Sequence, residues 1–173
     1  MPDMRQSFRA PMNRFRRDVG GATAVEFALV APMLFFALLS LLEIGVLCMM
    51  TSGVDNAVAG VARTIRTGQD DAPATAAAFE DQVCARMGGD LAGCRSRLTV
   101  SVHAVDRFAD LSAITAAAPA GEYNKGDAGD IILVKADYAW PIMTPFLTQG
   151  YERSGPNQIV IASRVAFKNE PFQ

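Results

Sequence analysis

The sequence predicts an α+β protein, with a long N-terminal helix able to cross a membrane and then a small domain of one short helix and an antiparallel sheet. Three observations predict it. Phe27 to Met50 is a run of 24 residues with one charged side chain, Glu43. Beyond it Val54, Val58, Val61 and Ile65 recur at helical steps of four, three and four. Three later segments, starting near Arg97, Ile132 and Gln158, alternate apolar with polar residues at the period of a half-buried strand.

At about 1.5 Å per residue the apolar run covers about 36 Å, enough for a hydrocarbon core of about 30 Å. Its thirteen Leu, Ile, Val and Phe residues favour insertion by about 4–8 kcal/mol, against about 3 kcal/mol for one carboxylate at mid-bilayer. Insertion therefore wins despite Glu43. With 173 residues, half of them hydrophobic, the chain has room for one span and one modest domain. Residues 1–21 carry five Arg against two Asp, and the next basic residue after the span is Arg63. The positive-inside tendency places that N-terminus in the cytoplasm and the C-terminal domain outside. A removable signal peptide, with Ala57, Val58 and Ala59 as its cleavage site, is the competitor, but its apolar region would be about 7–15 residues, and this run is longer.

Met1 to Val19 is arginine-rich and interrupted by Pro2 and Pro11, as in a cytoplasmic leader that touches anionic lipid. Pro32 is tolerable in a membrane helix, with a mild kink. Glu43 has two readings, a carboxylate hydrated at the outer interface or a helix-packing contact inside the membrane. Cys48 is a small apolar filler. The helix is expected to run from Ala22 to about Thr67, about 70 Å, stopped by Gly68; two helices hinged near Gly53 are the alternative.

Asp70 to Pro73 form a turn, and Thr75 to Met87 a short helix with Ala76, Phe79, Val83 and Met87 inward and Glu80, Asp81 and Arg86 outward. Gly88, Gly89 and Gly93 let Cys84 on this helix approach Cys94, and an oxidising compartment would join them. Closing so short a loop contributes about 2–3 kcal/mol. Two thiols and the distant His103 do not make a metal set. In the first strand Leu98, Val100, Val102 and Ala104 face inward, which turns His103 to solvent. Asp106 to Gly129 is a long irregular connection with a helical turn or two in ADLSAITAAA. The second strand buries Ile132, Val134, Ala136, Tyr138 and Trp140, with Lys135 and Asp137 opposite. The third, Gln158 to Lys168, buries Ile159, Ile161, Val165 and Phe167.

The string GGATAVEFALVAPMLF, followed by LLEIG, places Ala22 after a glycine pair and Glu26 fifth from a cut after Gly21, with Phe27 next. It resembles the processing site of type IV pilin-like proteins, and the fuller string resembles the TadE-like family of minor pilins, or pseudopilins, of tight-adherence (Tad, Flp-type) pilus systems. DIILVKADYAWPIMTP, Asp130 to Pro145, and FKNEPF, Phe167 to Phe172, are similar to that family's late strand and closing segment. The sister families TadF and TadG share similar N-termini, but TadG's large extra domain has no room here. The resemblance implies a pilin-like outline and a single-pass protein of the bacterial inner membrane. It also implies cleavage between Gly21 and Ala22 by an aspartic prepilin peptidase, and partners among other pilins and the Tad inner-membrane assembly proteins. The domains would be a leader at 1–21, the helix and its extension at 22–67, and a periplasmic domain at 68–173.

No Ser, Cys or Lys nucleophile stands beside a plausible base, and His103 is the single histidine. The enzyme constellations cannot be assembled from this chain, so the expectation is a non-enzymatic assembly component without cofactor, metal, nucleic acid or small-molecule substrate. An uncleaved, membrane-anchored periplasmic scaffold is the alternative. A ligand-binding domain rests on the long connection alone. Glu26, an acid in the first turns of an apolar helix, either complements its own helix N-terminus or pairs with the freed amine of Ala22 on a neighbouring subunit.

Overall fold

The computed structural model describes residues 21–89, 93–110 and 121–171. The leader at 1–20, most of ADLSAITAAA and Phe172 lie outside them. Helix α1, Ala22–Arg66, is one unbroken element of 45 residues that continues through Pro32. It is followed by α2 (Ala76–Arg86), the single turn α3 (Cys94–Arg97) and strands β1 (Leu98–Val105), β2 (Ile131–Pro141), β3 (Arg153–Gly155) and β4 (Gln158–Lys168). The strands form one antiparallel sheet in the order β1-β2-β4-β3. This is the α+β class predicted above, and its outline is pilin-like.

The chain divides into compact units Met1–Leu42 and Glu43–Gln173, a boundary inside α1 rather than at its end. The physical reason is the change in what α1 buries. In the first unit its large apolar side chains are exposed, Leu29 at 72% and Met33 at 79%. In the second, Leu47, Val54, Ala57, Val58, Val61, Ala62 and Ile65 are buried in the core. These positions flank Gly53, and burying a side chain of this size contributes about 1.5–3 kcal/mol, which outweighs the roughly 1 kcal/mol that a mid-helix glycine costs. The hinge weighed for Gly53 is accordingly absent. Gly68, at φ 60°, ends the helix: its N–H donates to Ile65 O and that of Gln69 to Thr64 O, the paired bonds of a Schellman stop.

One face of the sheet packs on α1 and α2. Phe79 and Val83 of α2 meet Val100, Val102, Ile132, Val134, Ala136, Tyr138, Ile159 and Ile161 of the strands in a single core. Helix α2 is capped by the Thr75 hydroxyl, which accepts the N–H of Ala78. It crosses α1 closely, because a Cβ on Gly60 would stand 2.8 Å from the Arg86 guanidinium. Glycine at this point makes room for the crossing.

Three expectations change. Glu80 does not simply face outward, since its carboxylate accepts the N–H of Val100 at 3.0 Å and so covers part of the free edge of β1. His103 is buried, 7% exposed, rather than turned to solvent. The rest of the β1 edge is covered by 122–124, through Val102 N–H to Glu122 O and Asn124 N–H to Val102 O, and this brings the Glu122 carboxylate to 3.4 Å from His103 Nδ1. Strand β3 was not foreseen; its three residues are too few and too polar to display an alternation.

Candidate functional site

The processing segment begins where α1 begins. Gly21 precedes the helix, and its carbonyl accepts the N–H of Val25, so the Gly21–Ala22 peptide is the helix boundary. Nothing lies within 4 Å of a Cβ placed on Gly21. Packing within the chain therefore makes no demand for glycine there. Glu26 lies four residues beyond Ala22, on the same face of the helix, and Glu26 is exposed between Val25 at 61% and Phe27 at 63%. A carboxylate set among exposed apolar neighbours is suited to a partner outside the chain.

Glu43, the second acidic residue of the apolar run, has partners in its own chain. Its carboxylate accepts the N–H of Met143 and, at 3.0 Å, that of Thr144. Two successive amides that converge on one carboxylate make a small anion nest, and they lie at the start of the 3₁₀ turn Pro145–Thr148. The carboxylate's bonds thus go to the backbone that follows β2. Sequence reading missed this pairing, and no local signal announces it.

Cys84 and Cys94 are joined by a disulfide, Cα to Cα 5.8 Å. Arg95 forms an ion pair with Asp81 beside it, so α2 and α3 are held covalently and electrostatically. Cys48 is an exposed free thiol. Among the described residues no group of three or more His, Cys, Asp or Glu side chains could hold a metal ion.

The closing segment also has a physical task. Asn169 is buried, and its Nδ2 donates to the carbonyls of Lys125 and Asp127 at 3.0 Å. Glu170 N–H donates to Arg66 O at the open end of α1, and its carboxylate stands 3.4 Å from Arg66 Nε. An acceptor left over at a helix C-terminus is thereby satisfied. Tyr123 plays a similar part for the long connection, with its hydroxyl donating to Pro73 O.

Burial pushes the Tyr123 phenol up from 10.0 to about 12. The neutral form is the one the fold favours, so this stabilisation is complete below about pH 10, the unfolded value, and disappears as pH rises to about 12. Denaturant melts from about pH 9 to about pH 12 should show stability falling over that window in the wild type, with a shallower fall in Tyr123→Phe. Equal slopes in the two proteins would remove Tyr123 from this account.

With this geometry established, comparison with known families becomes informative. The family model described as "TadE-like protein" matches residues 21–63. This segment is TadE-like. The match runs from the glycine at the helix boundary through the exposed apolar stretch and into the buried positions of α1, and it stops before the C-terminal domain. The TadE-like segment thus contains Gly21, Ala22, Glu26, Phe27 and Glu43, whereas the disulfide, the late strand and the Asn-Glu-Pro closure lie beyond it. No curated protein and no solved structure matches the chain.

Proposed function

We propose that this TadE-like protein is a minor pilin, or pseudopilin, of a tight-adherence pilus assembly machine, and that a membrane aspartic prepilin peptidase cuts it after Gly21. The single observation that carries the reading is the coincidence of the family match, residues 21–63, with a helix long and apolar enough to cross a membrane. An exposed span with an acid in its first turns can insert alone and later pack against the helices of other pilins and of Tad inner-membrane proteins. Gly21 supports the cleavage: the fold leaves space for a side chain there, and a peptidase that draws an extended backbone into its cleft benefits from its absence. The arginines before the span support a cytoplasmic N-terminus, and the Cys84–Cys94 disulfide an oxidising compartment for the rest. Residues 1–21 are then the leader, 22–67 the helix and its extension, and 68–173 the periplasmic domain. The role is structural.

The intact mass of the protein purified from membranes tests this. The expected form is lighter by residues 1–21, with Ala22 at its N-terminus. The full mass would instead support an uncleaved scaffold, and copurification with pilus subunits separates the two further.

A further inference from the structure

We propose that the loop after β2, residues 141–151, seats the second unit on the lipid surface beside its own membrane helix. This rests on the membrane reading of α1 given above. The first support is depth. Twenty-one steps separate Ala22 from Glu43, about 32 Å of helix at 1.5 Å per residue, against a hydrocarbon core of about 30 Å. Glu43 therefore stands where the helix leaves the hydrocarbon, and its carboxylate holds the amides of Met143 and Thr144. The loop is tied to that level.

Chemistry supports the same placement. From Tyr138 to Tyr151 the sequence runs YAWPIMTPFLTQGY, 14 residues without a charge. Ile142 turns into the core, but Met143 is 94% exposed and Tyr151 50% exposed. Trp140, the sole tryptophan of the chain, pairs with Ile159 at this end of the sheet. At the other end Ile131 pairs with Lys168, near Asp127, Asp130 and Glu170. One end of the sheet is thus charged and suited to water, while the other presents Met, Tyr and Trp, the last two enriched at membrane interfaces. An apolar cleft of about 500 Å³ opens beside it, lined by Ile44, Leu47, Cys48, Leu147 and Tyr151 among others. It starts at the residue after Glu43, continuous with the span. The occupant that fits this edge is the headgroup and upper acyl region of the bilayer.

Tryptophan quenching in phosphatidylcholine vesicles tests this on the full chain. In a Trp140→Phe background, single probes are introduced as Phe35→Trp in the span, Met143→Trp in the loop and Asp127→Trp at the charged end. Lipids brominated near the headgroup should quench the Met143→Trp probe about twofold and leave the Asp127→Trp probe unchanged, while lipids brominated near the chain end quench the Phe35→Trp probe. If Phe35→Trp is quenched and Met143→Trp is not, the seating proposal fails and the membrane reading stands. A Met143→Trp probe shielded from aqueous acrylamide yet unquenched by lipid would assign the loop to a protein partner and likewise overturn the proposal. An unquenched Phe35→Trp probe overturns the membrane reading itself.

Discussion

Glu26→Ala is expected to abolish pilus assembly while leaving membrane insertion intact. Insertion depends on the summed transfer of the apolar residues, and removing a carboxylate makes that sum more favourable. Assembly depends on what happens after cleavage. Cutting after Gly21 makes the nitrogen of Ala22 a cationic amine at the edge of an apolar helix, where an unpaired charge is costly. Glu26 is exposed on the free chain among apolar neighbours, and in a packed set of helices the Glu26 of one subunit can accept the amine of the next and set their axial register. Deleting one partner of a buried pair costs about 3–5 kcal/mol, a loss of about two to three and a half powers of ten in association. Glu26→Gln keeps a hydrogen-bond acceptor without the charge and should be less severe. Membrane fractionation, N-terminal mass and pilus counts for the two variants separate insertion, processing and assembly. Normal pili in both would show that the carboxylate does no more than complement its own helix terminus.

Loss of the disulfide is the second large effect. Cys84 and Cys94 are 3% and 2% exposed, ten positions apart, and their link ties α2 to the turn that leads into β1. Restricting a loop of this length in the unfolded chain contributes about 2–3 kcal/mol. For a unit the size of Glu43–Gln173, with an unfolding entropy of about 2.1 cal/mol/K per residue, that is a fall of about 10 °C in melting temperature. The Cys84→Ala/Cys94→Ala variant should melt about that much lower and ignore added reductant, whereas the wild type should shift only when reduced. Labelling of the denatured, unreduced wild type should modify Cys48 alone. Modification of all three cysteines would mean that the bond is not kept in the mature protein.

The features legible before any coordinates were those written into local periods. Val54, Val58, Val61 and Ile65 at helical steps predict the buried face of α1, and all four are buried. Alternation at Ile132, Val134, Ala136 and Tyr138 predicts the core face of β2, and Gly68 predicts the stop of α1. Each follows from how side chains project from a regular backbone, which needs only neighbours in the chain. The expected helix–strand layout and the approach of Cys84 to Cys94 came from the same short-range information.

What depended on packing between distant segments was not legible. Glu43 finds its partners 100 and 101 positions away, where no local pattern connects it with Met143 and Thr144. His103 sits on the polar phase of an alternating strand and is nevertheless buried, because residues 122–124 cover the edge of β1. Glu80 lies on the polar side of its helix, yet β1 offers it a free N–H. Asn169 draws in the carbonyls of Lys125 and Asp127, and β3 exists because the chain turns back onto β4. In every one of these cases a polar group is satisfied by backbone or charge brought to it from elsewhere in the fold. A buried hydrogen-bonding group must find a partner, but its own stretch of sequence does not specify which one.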